Sequence, residues 1–96
     1  MPRTPAPFAP LVATIIDPSG TIVEATPPHG ASKWAFRDLQ SLVGGYVEVV
    51  RLDKGRVALV NEDGHSLGLA PNVGASAVCG FPVVGTVVVI SAKALR

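Results

Sequence analysis

Short apolar, β-branched runs separated by turn residues predict strands along this chain, and one stretch between them has apolar positions at the period of a helix. Residues 11–16 are rich in β-branched side chains and predict a strand. Asp17-Pro18-Ser19-Gly20 has the chemistry of a type I turn, with Asp first, Pro second and Gly fourth. Residues 21–26 predict the returning strand. If Asp17 pairs with Thr21, one face carries Leu11, Ala13, Ile15, Val23 and Ala25, and the other Val12, Thr14, Ile16, Ile22 and Glu24. The first set is the better core face.

Pro27-Pro28-His29-Gly30 predicts a loop. Phe36, Leu39, Leu42 and Val43 then recur at helical spacing, with Lys33, Arg37 and Gln40 on or near the wet side. Gly44 is the expected C-terminal cap. Ala35 stands where a capping hydroxyl is usual, so Ser32 or loop backbone is expected to cap the start. Phe36 sits at core spacing, while Trp34 precedes the helix and is freer.

Residues 46–52 and 56–61 predict a second hairpin around Asp53-Lys54-Gly55, read as a type I turn with a glycine bulge. Pairing Leu52 with Arg56 sets Val49 opposite Leu59 and Val47 opposite Asn61. The reverse face, with Tyr46, Glu48, Val50, Leu52, Ala58, Val60 and Glu62, is also largely apolar. An antiparallel sheet wet on one side does not look like this, so something covers that face. Asn72 can cap a short helix over residues 73–78. Residues 83–90 predict a last strand, bent at Gly85, central and buried on both faces. Residues 91–96 read as a short polar end. The fold class expected is α+β: two β-hairpins, an intervening short helix, a second short helical turn and a bent C-terminal strand, curling into a partial barrel.

The chain has 96 residues, enough for one domain over 11–96. Pro2, Pro5, Pro7 and Pro10 make residues 1–10 a proline-rich tail or docking arm. Hydrophobic residues make up 48% and charged residues 16%, against an average of about 25% charged. That is more apolar surface than a small monomer hides, so a homo-oligomer is expected. Its interface is expected to include Val50, Leu52, Ala58 or Val60. No run reaches the roughly 18 apolar residues of a membrane span. A single cysteine, Cys79, excludes an internal disulfide and suggests a reducing, cytoplasmic location. Net charge is +1 with basic residues dispersed, so nucleic acid is not the expected partner.

Candidate chemistry is sparse. Asp63, His65 and Ser66 lie together, with Cys79 and His29 elsewhere, but polar residues belong at a turn and no nucleophile elbow is present. His29, His65 and Cys79 lack metal-ligand spacing, and no cofactor motif occurs. Gly44-Gly45 follows a helix C-terminus, where the dipole repels anions, so it is not a phosphate loop. Arg51, Lys54 and Arg56 gather at a hairpin tip. They either grip phosphates or keep an apolar hairpin soluble. Tyr46, Glu48, Asn61 and Glu62 form a polar group on the same hairpin. Glu48 lies mid-strand among valines and, if covered, requires Arg37, Lys33 or another subunit as partner.

Leu42-Val43-Gly44-Gly45-Tyr46-Val47-Glu48-Val49-Val50 and Val60-Asn61-Glu62-Asp63-Gly64 carry a resemblance. With Leu69-Ala70-Pro71-Asn72 and Val84-Gly85-Thr86-Val87-Val88, they resemble a small bacterial and bacteriophage family of unknown function, over residues 11–92. Such domains occur in phages, plasmids and bacterial chromosomes, with antirestriction-type domains beside the larger forms. The resemblance implies an accessory role on mobile elements and brings no catalytic residues. The function expected is therefore a non-catalytic binding domain, with Tyr46, Glu48, Arg51, Lys54, Arg56, Asn61 and Glu62 as candidate contacts. Its expected partner is a host protein. The alternatives are a small anionic, nucleotide-like ligand and weak nucleic-acid binding.

Overall fold

The computed structural model describes residues 12–95, with the side chain of His29 excepted. The proline-rich tail and Leu11 lie outside the described residues. The elements run β1 (Ala13–Ile16), β2 (Ile22–Ala25), a 3-10 turn (Pro28–Gly30), α1 (Phe36–Val43), β3 (Val47–Arg51), β4 (Arg56–Asn61), α2 (Val73–Cys79), β5 (Val87–Ser91) and a last 3-10 turn (Ala92–Ala94). The strands form one five-stranded antiparallel sheet in the order β2-β1-β5-β4-β3. The fold is α+β as expected, but the sheet stays open and does not close into a barrel.

β5 is the keystone. It pairs with β1 on one side and β4 on the other, so it joins the two hairpins. Successive side chains of a strand face opposite sides of the sheet. Val88 and Ile90 enter a core with Ala13, Trp34, Leu39, Val43, Val57 and Leu59 beneath α1. Val87 and Val89 enter a second core with Ile16, Ala58, Val60, Ala75 and Val83 beneath α2. An all-apolar strand is stable here because each face has its own helix. Fully burying each such side chain contributes roughly 1.5–3 kcal/mol.

The second core corrects the expected interface. Ala58 and Val60 are 0% and 8% exposed under the chain's own α2 side, and Val50 and Leu52 pack against the same core. The apolar reverse face of the second hairpin is largely covered from within, so Ala58 has no surface to offer a partner and Val60 very little.

Both hairpin registers follow from their turns. Asp17 N–H donates to Thr21 O, and Ile16 stands opposite Ile22. The Asp17 carboxylate accepts from the Ser19 hydroxyl and from the Ser19 and Thr21 N–H groups. The Ser19 hydroxyl bond leads in holding its pKa below the usual value. In the second hairpin Val49 faces Leu59 and Val47 faces Asn61, as read. The turn type differs. Lys54 and Gly55 both have positive φ, 59° and 73°, and Arg56 N–H donates to Asp53 O. Two positive central residues mark a type I′ turn, which matches strand twist, and Asp53 becomes the extra, bulged residue. Left-handed backbone costs a lysine roughly 1–2 kcal/mol, which asparagine partly escapes. K54N is therefore expected to raise the urea midpoint, with a gain of about 0.5–1 kcal/mol. An unchanged or lowered midpoint would refute this account of the turn.

Three further expectations change. Trp34, read as the freer aromatic, is 3% exposed, whereas Phe36 is 40% exposed. Trp34 bridges to Leu95, with its N–H donating to Ala94 O at 2.7 Å, and this draws the ring into the α1 core. Residues 91–95 are correspondingly not a polar extension, since Ala94 is fully buried. Finally, α1 has no side-chain cap. Ala35 is its N-cap residue, and only the Ala35 carbonyl serves, accepting from Asp38 and Leu39.

Candidate functional site

The Gly44-Gly45 pair and Asn61 form one structural unit. Gly44 ends α1 in left-handed backbone at φ 81°, and its N–H returns to Gln40 O at 2.8 Å. The chain then passes directly over Asn61. Asn61 Nδ2 donates to Val43 O at 3.2 Å, and Oδ1 accepts from Asp63 N–H at 2.8 Å. A Cβ at residue 45 would stand 2.9 Å from Asn61 Nδ2, so any side chain there must displace the amide. Asn61 is 7% exposed, and both ends of its amide are engaged inside the chain. Glu62 N–H closes the junction on Tyr46 O at 2.8 Å.

Asn72 is a second node, and only its capping role was read from the sequence. Its Oδ1 accepts from Ala75 N–H at the start of α2. Its Nδ2 donates to Ile16 O at 2.9 Å and to Gly85 O at 2.8 Å. Three segments distant in sequence meet on one amide that is 1% exposed.

Beside Asn61 lies a small cleft of about 90 Å³ on the α2 face, at the β3 edge. Val50, Val60, Val83 and Val84 give it apolar walls, and Phe81 and Pro82 line the side toward the 80–84 segment. Glu48, Glu62 and His65 add the ionisable groups, and Asn61 completes the lining. No Lys or Arg is among its lining residues.

The structure thus divides the candidate contacts in two. Glu48, Asn61 and Glu62 meet at the cleft. Arg51, Lys54 and Arg56 belong to the far, turn end of the hairpin. There Arg56 pairs with Asp53 at 3.4 Å, the one ion pair among the described residues, with side chains 48% and 76% exposed. An exposed pair of this kind contributes little to stability. Tyr46 is exposed beside the β3 entry. Glu48 is exposed as well, so it needs none of the partners expected for a covered carboxylate. Phe81, Pro82, Val83 and Val84 escaped the sequence reading, because nothing local shows that residues 48 and 81–84 share a cleft. The apolar run 81–84 was their only signal.

The cleft holds His65 but neither Asp63 nor Cys79. Cys79 packs against the α2 core, and burial raises its thiol pKa, which favours the neutral form. His29 lies outside the described side chains. No helix among the described residues is long and apolar enough to cross a membrane.

A family model matches residues 12–94, nearly the whole described chain. The chain belongs to DUF3846, a domain family of unknown function. Comparison with curated proteins and with solved structures found no match in either. The Gly45–Asn61 junction and Asn72 lie within the matched residues, and their observed contacts are internal.

Proposed function

We propose that this DUF3846 domain is a non-catalytic binding domain whose partner, a host protein, contacts the cleft at the β3 edge. The observation that supports this is the cleft itself: apolar walls, two carboxylates, a histidine, and no cation of the chain among its lining groups. The buried polar side chains Asn61, in the cleft lining, and Asn72, outside it, make hydrogen bonds within the chain. The accessory, mobile-element setting implied by the resemblance belongs to the same proposal, with phage or plasmid genes as the expected neighbours.

Amide-resolved NMR titration with a purified host partner tests it. Shifts centred on Glu48, Glu62, His65 and Phe81 support the cleft. Shifts confined to Arg51, Lys54 and Arg56, reproduced by nucleotides, would instead favour the anionic-ligand alternative, since that tip holds the clustered cations. Nucleic-acid binding would add a steep salt dependence.

Self-association remains part of the proposal, but through other surfaces than Ala58 and Val60. Ile22 and Val23 on the edge strand β2 are 63% and 50% exposed and suit a partner copy. Light scattering at micromolar concentration is expected to give a multiple of the 9.9 kDa chain mass. A strict monomer removes this part.

A further inference from the structure

The cleft opens along an edge strand, and that juxtaposition carries more than either feature alone. β3 is the outermost strand on its side of the sheet. Glu62 N–H donates to Tyr46 O, and Leu52 N–H donates to Arg56 O. In an antiparallel ladder, residues alternate between facing the partner strand and facing away. Tyr46, Glu48, Val50 and Leu52 therefore spend their backbone groups on β4. The N–H and C=O groups of Val47, Val49 and Arg51 point outward, where no described strand pairs with them. Edge strands are commonly blunted by proline, inward charge, bulges or a covering loop. Within Val47–Arg51 there is no proline, and Val49 is 45% exposed.

We propose that β3 and the cleft form a single dock for an extended peptide, which adds to the sheet beside β3 and places a Lys or Arg side chain in the cleft. The inference rests on the binding reading above and names the class of partner. Side chains of an added strand would alternate across the two faces of the sheet, and those on the α2 face fall beside Glu48 and Val50. There the basic head group meets Glu48 and Glu62, while its aliphatic stem lies along Val50 and Phe81. The volume agrees. About 90 Å³ is far below the roughly 300–1,000 Å³ of small-molecule pockets, and suits one inserted side chain. The other sheet edge, β2, contributes nothing to the cleft.

A second copy pairing through β3 fits less well. Two-fold pairing centred on Val49 sets each Glu48 opposite Val50 of the other copy. The two Glu48 side chains then lie diagonally, with the strand positions roughly 7–8 Å apart, and repel. A basic peptide neutralises these carboxylates where a second copy doubles them.

The test uses a capped six-residue peptide of alternating lysine and valine, and its counterpart with glutamate for lysine, titrated into isotopically labelled protein. The lysine peptide is expected to shift Val47, Val49, Arg51, Glu62 and His65 and to slow amide exchange at Val47, Val49 and Arg51. The glutamate peptide is expected to leave them unmoved. E48Q combined with E62Q is expected to weaken the lysine peptide about tenfold, the loss of charge-assisted contacts. V49P removes one outward N–H without touching the β4 ladder, so it should abolish the exchange protection while an otherwise unchanged amide spectrum confirms the fold. Equal binding of both peptides, or lysine-peptide binding untouched by V49P and E48Q/E62Q, overturns the strand-addition inference. Cleft shifts with the host partner that survive V49P overturn it too, yet leave the binding reading standing. A host partner that moves no cleft resonance removes the reading itself. Dimerisation with β3 protection in the absence of peptide would assign the edge to a second copy instead.

Discussion

Replacing Asn72 with alanine is expected to cost about 3–5 kcal/mol, the largest effect of any single polar substitution in this chain. Three bonds are lost at once. Ala75 N–H loses its cap, and Ile16 O and Gly85 O lose a shared donor. Each buried group left without a partner costs about 1–3 kcal/mol, well above the net worth of an ordinary hydrogen bond. Small domains have roughly 5–15 kcal/mol of stability in all, so N72A approaches unfolding at ambient temperature. N72D discriminates the roles. Aspartate keeps the acceptor for Ala75 N–H but cannot donate to two carbonyl oxygens, and it buries a charge. It is expected to be no better than N72A. Trp34, the only tryptophan, is buried in the opposite core and reports the transition by fluorescence in urea. A loss below about 1 kcal/mol for N72A would show that water replaces the missing donor and that Asn72 is no node.

Local chemistry in the sequence foretold much of this fold, and the boundary of what it foretold is physical. Asp17 to Gly20 set the first register, and Leu52 opposite Arg56 set the second, because a hairpin turn determines every pair beyond it. Asn72 announced α2, and the apolar run 87–90 announced a strand buried on both faces. What could not be read was long-range. Nothing near β5 says that it lies between the two hairpins, or that α2 crosses to the face away from α1. Ala58 and Val60 therefore looked like interface when they are core. Trp34 was misread for the same reason, since its partner Leu95 lies at the other end of the described chain. Lys54 is a local failure: three loop residues ending in glycine favour a type I turn with a bulge, and here the bulge moved to Asp53. The candidate site was half visible. Glu48, Asn61 and Glu62 were grouped by their hairpin, but the 81–84 side of the cleft arrives from beyond α2, and the basic tip belongs elsewhere.

Gly45 and Asn61 are expected to be coupled, so that mutating both costs less than the sum of the parts. G45A pushes a methyl to 2.9 Å from Asn61 Nδ2. A side chain tip can usually retreat, but this amide is buried and bonded at both ends, to Val43 O and from Asp63 N–H. Retreat therefore means breaking the Val43 bond, and G45A should cost about 1.5–3 kcal/mol. N61A leaves the same α1 carbonyl without its donor and also frees Asp63 N–H, for about 2–3 kcal/mol. In G45A/N61A the alanine methyl enters space the amide has vacated, and the Val43 bond cannot be lost twice. The coupling energy should reach about 1–2 kcal/mol, beyond the few tenths seen for independent sites. Urea unfolding of the four proteins gives this number directly. Strict additivity would mean that Gly45 and Asn61 do not share the α1–β4 junction, and that the double glycine of this chain serves α1 capping alone. A coupling of the expected size instead explains why both glycines and Asn61 occur together: Gly44 turns the chain, Gly45 clears the amide, and Asn61 closes the helix onto β4.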